Sequence, residues 1–332
     1  MPVVGPGAAS AGRAAARRLR AGRGGATING HPTSFIVSPR PGALPNAWPE
    51  PPSIDRPLTI VGDAPGEYEA PSTYYDIQLF EALNAEYASR PLVPEPQRYD
   101  DVALLERARA RLGAVHRSID LRAKRVLEFG CGGGYEIWQL SHAFDAQGWG
   151  VDITERRSWA TLADERTRFT RADLAVDQPF EADSFDRVVS FTVFEHVEHP
   201  FAALAELHRI MAPGGLAWIK ANLYRGPKAS HRYRWVHFPF PHLLFTDDVF
   251  REYCRHHDLP EVGAAWVNRL SWADYEAYLE RIGFRIRMLR FQETPLDEAF
   301  YGRFEDILGR YPRTDLTRDF FEVVLEKSAR RR

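Results

Sequence analysis

The stretch "RVLEFGCGGGYEIWQL", Arg125–Leu140, is a strand-length apolar run that breaks into four glycines and resumes at helical spacing. Glycine lets a backbone turn sharply and approach a ligand closely, so a strand-to-helix turn this bare reads as a cradle for an anionic group. The spacing disfavours two common cradles. A dinucleotide turn wants G-x-G-x-x-G, but Gly130 and Gly132 are followed by Tyr135 at the third site. A P-loop wants a lysine after its glycines, and the stretch has none. What stands is Glu128-x-Gly130-x-Gly132-x-Gly134. The plain alternative is a tight turn that holds nothing.

Outward from this turn the chain alternates. Strand-like segments are read at 125–130, 148–154, 168–174, 185–192 and 216–221, with helical patterns between them, and "APGG" (212–215) is expected to end the helix that Pro200 opens. Such alternation indicates an α/β fold on a parallel sheet with right-handed crossovers. It breaks at "NLYRGPKASHRYRWVHFPFPHLLF", which is aromatic, basic and proline-punctuated; "FPFP" is expected to cross in an extended conformation. Helices are expected after Thr246 and Ser271 as N-caps, and two late strands at 283–292 and 319–328. Upstream, Ser72 or Thr73 is expected to cap a helix bearing Ile77, Phe80, Leu83 and Tyr87, and a second helix carries Val102, Leu105, Ala108, Leu112 and Val115.

The 332 residues carry a formal charge of -2, which gives no global attraction to nucleic acid or an anionic membrane. No run of 18 apolar residues suggests a membrane span. Two cysteines, Cys131 and Cys254, give neither a disulfide framework nor a zinc spacing, so a reducing, cytoplasmic setting is expected. From Met1 to Pro49 there is no acidic residue, while six arginines punctuate an Ala/Gly/Ser-rich background. Prolines then recur from Ser38 to Ser72. Residues 1–60 are therefore read as a disordered tail, with an organelle transit peptide as the alternative.

Five blocks together resemble the class I S-adenosylmethionine-dependent methyltransferases. "VLEFGCGGG" is similar to their first motif, and "GVDIT" puts Asp152 at the end of the next strand, 22 residues after Gly130. "TRADL" puts Asp173 after the third, and "FDRVVSFTVFEHVEHP" resembles the fourth strand with the "EHV" found in methyltransferases of quinone precursors. "LHRIMAPGGLAWI" resembles the approach to the fifth. The resemblance implies a Rossmann-like, seven-stranded, mostly parallel sheet with helices on both faces and an aromatic-rich insertion after the fifth strand. It divides residues 61–332 into N-terminal helices (72–118), a cofactor core (119–222), an acceptor-side insertion (223–282) and closing strands (283–332). It also implies S-adenosyl-L-methionine as cofactor, held by Glu128, Gly130, Cys131, Gly132, Asp152, Ile153, Asp173, Leu174, Phe191 and Thr192. Asp152 would accept from the ribose hydroxyls and Asp173 from the adenine amino group; the alternative is that both are ordinary turn aspartates.

Methyl transfer to a hydroxyl benefits from a base, and the histidines available are His196 in "EHV" and His231, His237 and His242 in the insertion. His196 reads equally as a structural residue. A metal site on Glu195, His196, Glu198 and His199 is disfavoured because "EHVEH" is not H-E-x-x-H, and no metal is expected. The aromatics Tyr233, Trp235, Phe238, Phe240 and Phe245 read either as packing or as an acceptor pocket, and the position of such insertions favours the pocket. Arg232 and Arg234 suit an anionic acceptor or a solvated edge. Ser72–Arg90, with Tyr74 and Tyr75, is a second cover over the cofactor by analogy. The expected activity is methyl transfer to a small-molecule or glycan acceptor, at a hydroxyl. Alternatives are N- or C-methylation of a metabolite, a non-catalytic cofactor-binding regulator, a nucleic-acid methyltransferase and a nicotinamide dehydrogenase.

Overall fold

The computed structural model describes residues 27–28, 31–32, 75–93, 100–233, 235–259 and 267–329. The basic tail apart from one short ladder, most of the proline-rich segment, Ser72, Thr73, Tyr74 and Arg234 lie outside the described residues. Within the tail, Thr27–Ile28 pairs antiparallel with His31–Pro32, a small unit by itself.

Seven strands form one sheet: β1 (Arg125–Phe129), β2 (Gln147–Asp152), β3 (Thr167–Arg171), β4 (Phe185–Phe191), β5 (Met211–Asn222), β6 (Phe284–Glu293) and β7 (Arg318–Lys327). Their order is β3-β2-β1-β4-β5-β7-β6, with β1 to β5 parallel and β7 antiparallel to both neighbours. The order reverses between β1 and β4, so a crevice opens at the carboxyl ends of those strands, where sheets of this kind bind ligands. β1 reads as a continuous apolar run because a central parallel strand is covered on both faces; Val126 and Leu127 are fully buried.

The helices are α1 (Ile77–Tyr87), α2 (Asp101–Ser118), α3 (Tyr135–Ala143), α4 (Pro200–Ile210), α5 (Asp247–His256), α6 (Trp272–Ile282) and α7 (Glu298–Arg303), besides several single turns. Caps explain where they start. Thr246 accepts from the Val249 N–H, and Ser271 and Asp274 form a reciprocal capping box. α1 begins one turn later than Ser72 or Thr73 would start it, because Asp76 accepts from the Leu79 N–H. "APGG" does not separate helix from strand. α4 stops at Ile210 and β5 runs through these residues, with Phe185 paired to Met211 but Arg187 to Leu216, so the extra residues form an irregularity in the ladder.

Helices cover both faces of the sheet. One core joins the sheet to α4 and α6 through Leu127, Val188, Leu207, Ile219, Tyr275 and Leu279. A second, separate core is rich in aromatic residues, filled out by leucines such as Leu83, Leu243 and Leu308. α1 supplies Phe80 and Tyr87 to it, the insertion Phe238, Phe240 and Phe245, and the β6–β7 connection Phe300 and Phe304. That connection is not a tight hairpin: it carries α7 and two short helical turns.

Candidate functional site

The glycine turn is tied to its neighbour strand, since the N–H groups of Gly130 and Cys131 both donate to the Val151 carbonyl at 2.8 and 3.1 Å. Two of its glycines serve different ends. At Gly130, φ is +74° and a Cβ would lie 2.3 Å from Val193 Cγ2, so packing and conformation both demand glycine. At Gly132, φ is +48° but a Cβ would meet nothing within 4 Å. The space before Gly132 is open, as a ligand cradle requires. From the far side Trp159 Nε1 donates to the Gly132 carbonyl and the Ser158 hydroxyl to that of Gly133, both at 2.8 Å.

Acidic groups gather beside this opening. Asp152, at the end of β2, accepts the Gly132 N–H on Oδ2 and the Thr154 N–H on Oδ1, each at 2.9 Å. An ionised carboxylate has further lone pairs to offer hydroxyl groups. Glu128 on β1 is 2% exposed, and its Oε2 has no partner. Burial pushes its pKa well above the usual carboxylate range; the Glu136 and Asp152 carboxylates add to this and Arg111 opposes it. Arg111 reaches in from α2 to bind Glu136 at 2.7 Å and lies over the Phe191 ring at 5.2 Å. Glu128 thus feels two further carboxylates, Glu136 and Asp152, and one guanidinium, an arrangement short of positive charge and suited to a ligand with an ammonium and a sulfonium.

The remaining cofactor-side candidates are distributed along the same edge. Ile153 is 64% exposed, leaving an apolar surface beside Asp152. Asp173 is exposed and accepts the Ala175 N–H at 2.9 Å, the bond of an Asx-turn, while Leu174 packs into the main core. Cys131 is buried, and burial raises its thiol pKa. Phe191 is buried with its ring 5.1 Å from that of Trp218. Thr192 takes a left-handed φ of 56° and donates its hydroxyl to the Phe191 carbonyl. A β-branched residue is strained there, and such strain concentrates at functional edges.

Beyond β4 a single 3-10 turn, Phe194–His196, carries the "EHV" residues. Asn268 fixes it: its side chain donates to the Phe194 and Val197 carbonyls at 2.6 and 3.2 Å, and its backbone N–H to the Glu195 carbonyl at 2.8 Å. The turn aims Glu195 inward, 2% exposed with neither carboxylate oxygen hydrogen-bonded. Burial raises its pKa to about 8, against a smaller pull from the backbone at Glu195 and Asn222. His196 meets His231 of the insertion edge-on, ring centres 4.9 Å apart. Burial, with His196 adding to it, lowers the His231 pKa to about 4. Glu198 and His199 face solvent and do not join this group.

His237 and His242 belong instead to the aromatic core. The His237 backbone N–H donates to Asn84 Oδ1 at 2.7 Å. His242 Nε2 lies 2.7 Å from the Tyr224 carbonyl, and burial lowers its pKa to about 3. The ring is neutral, and its Nε2–H serves that carbonyl. Three further expectations are corrected. Phe238, Phe240 and Phe245 are at most 3% exposed and pack on Phe80 and Phe300, so they line no open pocket. "FPFP" is not wholly extended, since Phe240 is left-handed and Pro241 opens a helical turn. Arg232 is no solvated edge: it is 6% exposed, paired with Asp247 and 4.0 Å over the Phe250 ring.

α1, the expected second cover over the cofactor, packs on the insertion. Tyr75 meets Phe245 at a tilt and Phe304 edge-on, and Phe80 meets Phe238 edge-on, so the segment closes the aromatic core. The residue that reaches the cofactor-side acids is Arg111, which sequence reasoning missed. Nothing distinguishes it among the arginines of "ERARARLGAVHR" until the fold brings α2 against α3. Asn268 was missed for the same reason.

The family described as "Methyltransferase domain" matches residues 127–219. The 27-O-demethylrifamycin SV methyltransferase of Amycolatopsis mediterranei is 30% identical over 62% of this chain and 80% of its own length. A ubiquinone biosynthesis O-methyltransferase of Pseudomonas syringae pv. tomato is 30% identical over 36% of this chain and 53% of its own. The tRNA U34 carboxymethyltransferase of Idiomarina loihiensis is 25% identical over 54% and 51%. The chain spans about half the length of these last two relatives. Among solved structures, an S-adenosylmethionine-dependent methyltransferase from Mesorhizobium loti aligns over 65% of this chain and 97% of its own at 21% identity, with a TM-score of 0.45. No helix among the described residues is long and apolar enough to cross a membrane. With the glycine turn, the acid-ended strands and a likeness that covers 80% of the rifamycin enzyme, the chain belongs to the class I S-adenosylmethionine-dependent methyltransferases.

Proposed function

We propose that the chain transfers a methyl group from S-adenosylmethionine to a hydroxyl of a small-molecule or glycan acceptor. The observation that carries this reading is the open face of Gly132 beside Asp152, Glu128 and Glu136, a cradle rich in acceptors and poor in cations. When bound, the cofactor supplies an electrophilic methyl on a sulfonium. Asp152 then accepts from the ribose hydroxyls, Glu128 offsets the cationic methionine end, and Ile153 and Asp173 border the adenine. Phe191 and Thr192 flank the reacting end. Hydroxyl as the acceptor is supported by the relatives named as a ubiquinone biosynthesis O-methyltransferase and a 27-O-demethylrifamycin SV methyltransferase.

Calorimetry and mass spectrometry test this together. The wild type should bind S-adenosylmethionine, and Asp152→Ala should weaken that by at least tenfold while leaving the fold intact. A screen of hydroxyl-bearing metabolites should then return a product heavier by one methylene. Unchanged affinity in Asp152→Ala removes the ribose assignment. Transfer only to amines, carbon acids or RNA replaces the hydroxyl reading.

A further inference from the structure

We propose that Glu195, His196 and His231 form a binding site for one divalent transition-metal ion. The three come from two places in the chain, the turn after β4 and the insertion after β5. One donor atom from each lies within 4.8 Å of the others. A cation held at about 2.0–2.2 Å from each donor needs them roughly 3.4 Å apart, a closure of little more than an ångström. Small side-chain rotations supply that much.

A second observation points to a ligand independently. Glu195 is 2% exposed, yet no well-formed hydrogen bond to either carboxylate oxygen and no ion pair of its carboxylate is found among the described residues; only the Glu195 and Asn222 backbone N–H groups approach it. His231 Nε2 is likewise buried and unpartnered. Leaving such groups unsatisfied is unfavourable, and more so for a charge. The backbone is also committed to the arrangement: Asn268 pins the turn through three hydrogen bonds, and His231 is held at a left-handed φ of 55°. A cation would satisfy both orphaned groups at once.

The donor set selects the class of ion. Two imidazoles and one carboxylate suit zinc, cobalt, nickel, iron or manganese, whereas magnesium and calcium prefer sites built wholly from oxygen. His196 is exposed, so the site keeps an open side toward the carboxyl edge of the sheet. On the function proposed above, that open position faces the acceptor. The acceptor oxygen would gain the methyl as the carbon–sulfur bond breaks, its electron pair staying on sulfur. The hydroxyl proton, acidified beside the cation, would pass to water.

Cobalt(II) gives a direct probe that needs neither donor nor acceptor. The full chain, stripped with a chelator, should develop visible absorption that saturates at one equivalent of cobalt and is bleached by zinc but not by magnesium. Glu195→Gln and His231→Asn should each weaken cobalt binding at least tenfold, with His199→Asn unchanged. S-adenosylmethionine affinity serves as the check that each variant is folded. X-ray absorption of the wild type at the cobalt edge should report two imidazoles, which keeps the test decisive if a variant does not fold. Absence of a one-equivalent spectrum, or one that survives in both variants, overturns the site. Because this readout is independent of methyl transfer, it stands or falls apart from the proposed reaction. Transfer at the wild-type rate after chelation would overturn the catalytic role alone.

Discussion

The carboxyl edge of β1 and β2 and the aromatic core beneath the insertion lie in one chain but are built on opposite terms. At the edge, Glu136, Asp152 and Arg111 bear on the buried Glu128, Arg111 is bonded to Glu136, and Gly130 and Gly132 hold positive φ. In the aromatic core, Phe80 alone touches the rings of Phe238, Phe245 and Tyr253 at 5.3, 5.0 and 4.9 Å, and polar groups are few and serve as ties. On the proposed function, charge and backbone strain gather where the cofactor would bind, while apolar packing ties α1, the insertion and the β6–β7 connection together. Each region should therefore fail in its own way.

Phe80→Ala should give the largest loss of stability. The side chain is fully buried among aromatic rings, and removing it leaves a cavity the rings cannot collapse to fill. Loss of about 3–5 kcal/mol is expected in chemical denaturation. Under conditions where the variant remains folded, S-adenosylmethionine affinity should stay within about twofold, since the Phe80 ring contacts lie within the aromatic core. A tenfold fall in affinity would join the two regions into one unit and break the comparison.

The two glycines make a sharper pair. Gly130→Ala drives a methyl into Val193 and should cost about 2–4 kcal/mol, from overpacking plus a left-handed alanine. Gly132→Ala meets no neighbour, so its stability cost should be only the left-handed penalty of about 1–2 kcal/mol. Its effect should fall on the ligand instead, with cofactor affinity down tenfold or more by calorimetry. Equal affinity in wild type and Gly132→Ala would mean that the open face is not the cradle.

The same contrast explains what the sequence disclosed. The glycine turn, Asp152 at a strand end and the Thr246 and Ser271 caps depend on neighbours a few residues away, so their spacing reveals them. The strand alternation likewise follows from local pattern, and only "APGG" misled, because its irregular pairing with β4 is a tertiary matter. The aromatic insertion was ambiguous for a physical reason: a phenylalanine in a pocket and one in a core have the same local signature. Its partners, Phe80 and Phe300, lie 158 residues upstream and 62 downstream of Phe238. His231 shared that fate. It was one histidine among several until topology set it against Glu195 and His196.

A last effect, read as a slope, separates the regions by the sign of their pH dependence. His242, in the aromatic core, is lowered from 6.5 to about 3 by burial, with Arg232, His231 and Arg269 adding to the effect. Below about pH 6.5 the unfolded chain takes up a proton that the folded ring refuses. Its contribution is therefore complete above pH 6.5 and is lost as pH falls toward 3. Glu128, at the cofactor edge, is raised, so its contribution is complete below its ordinary value of 4.5 and is lost as pH climbs through the higher folded value. His242→Gln keeps an N–H for the Tyr224 carbonyl but cannot titrate. Its stability should fall less steeply than the wild type's between about pH 6 and 4, by up to roughly 1.4 kcal/mol per pH unit. Denaturation at a series of pH values reads this slope directly. Parallel profiles for the two proteins would mean that the ring accepts its proton in the folded state, and that the aromatic core is wetter than its packing indicates.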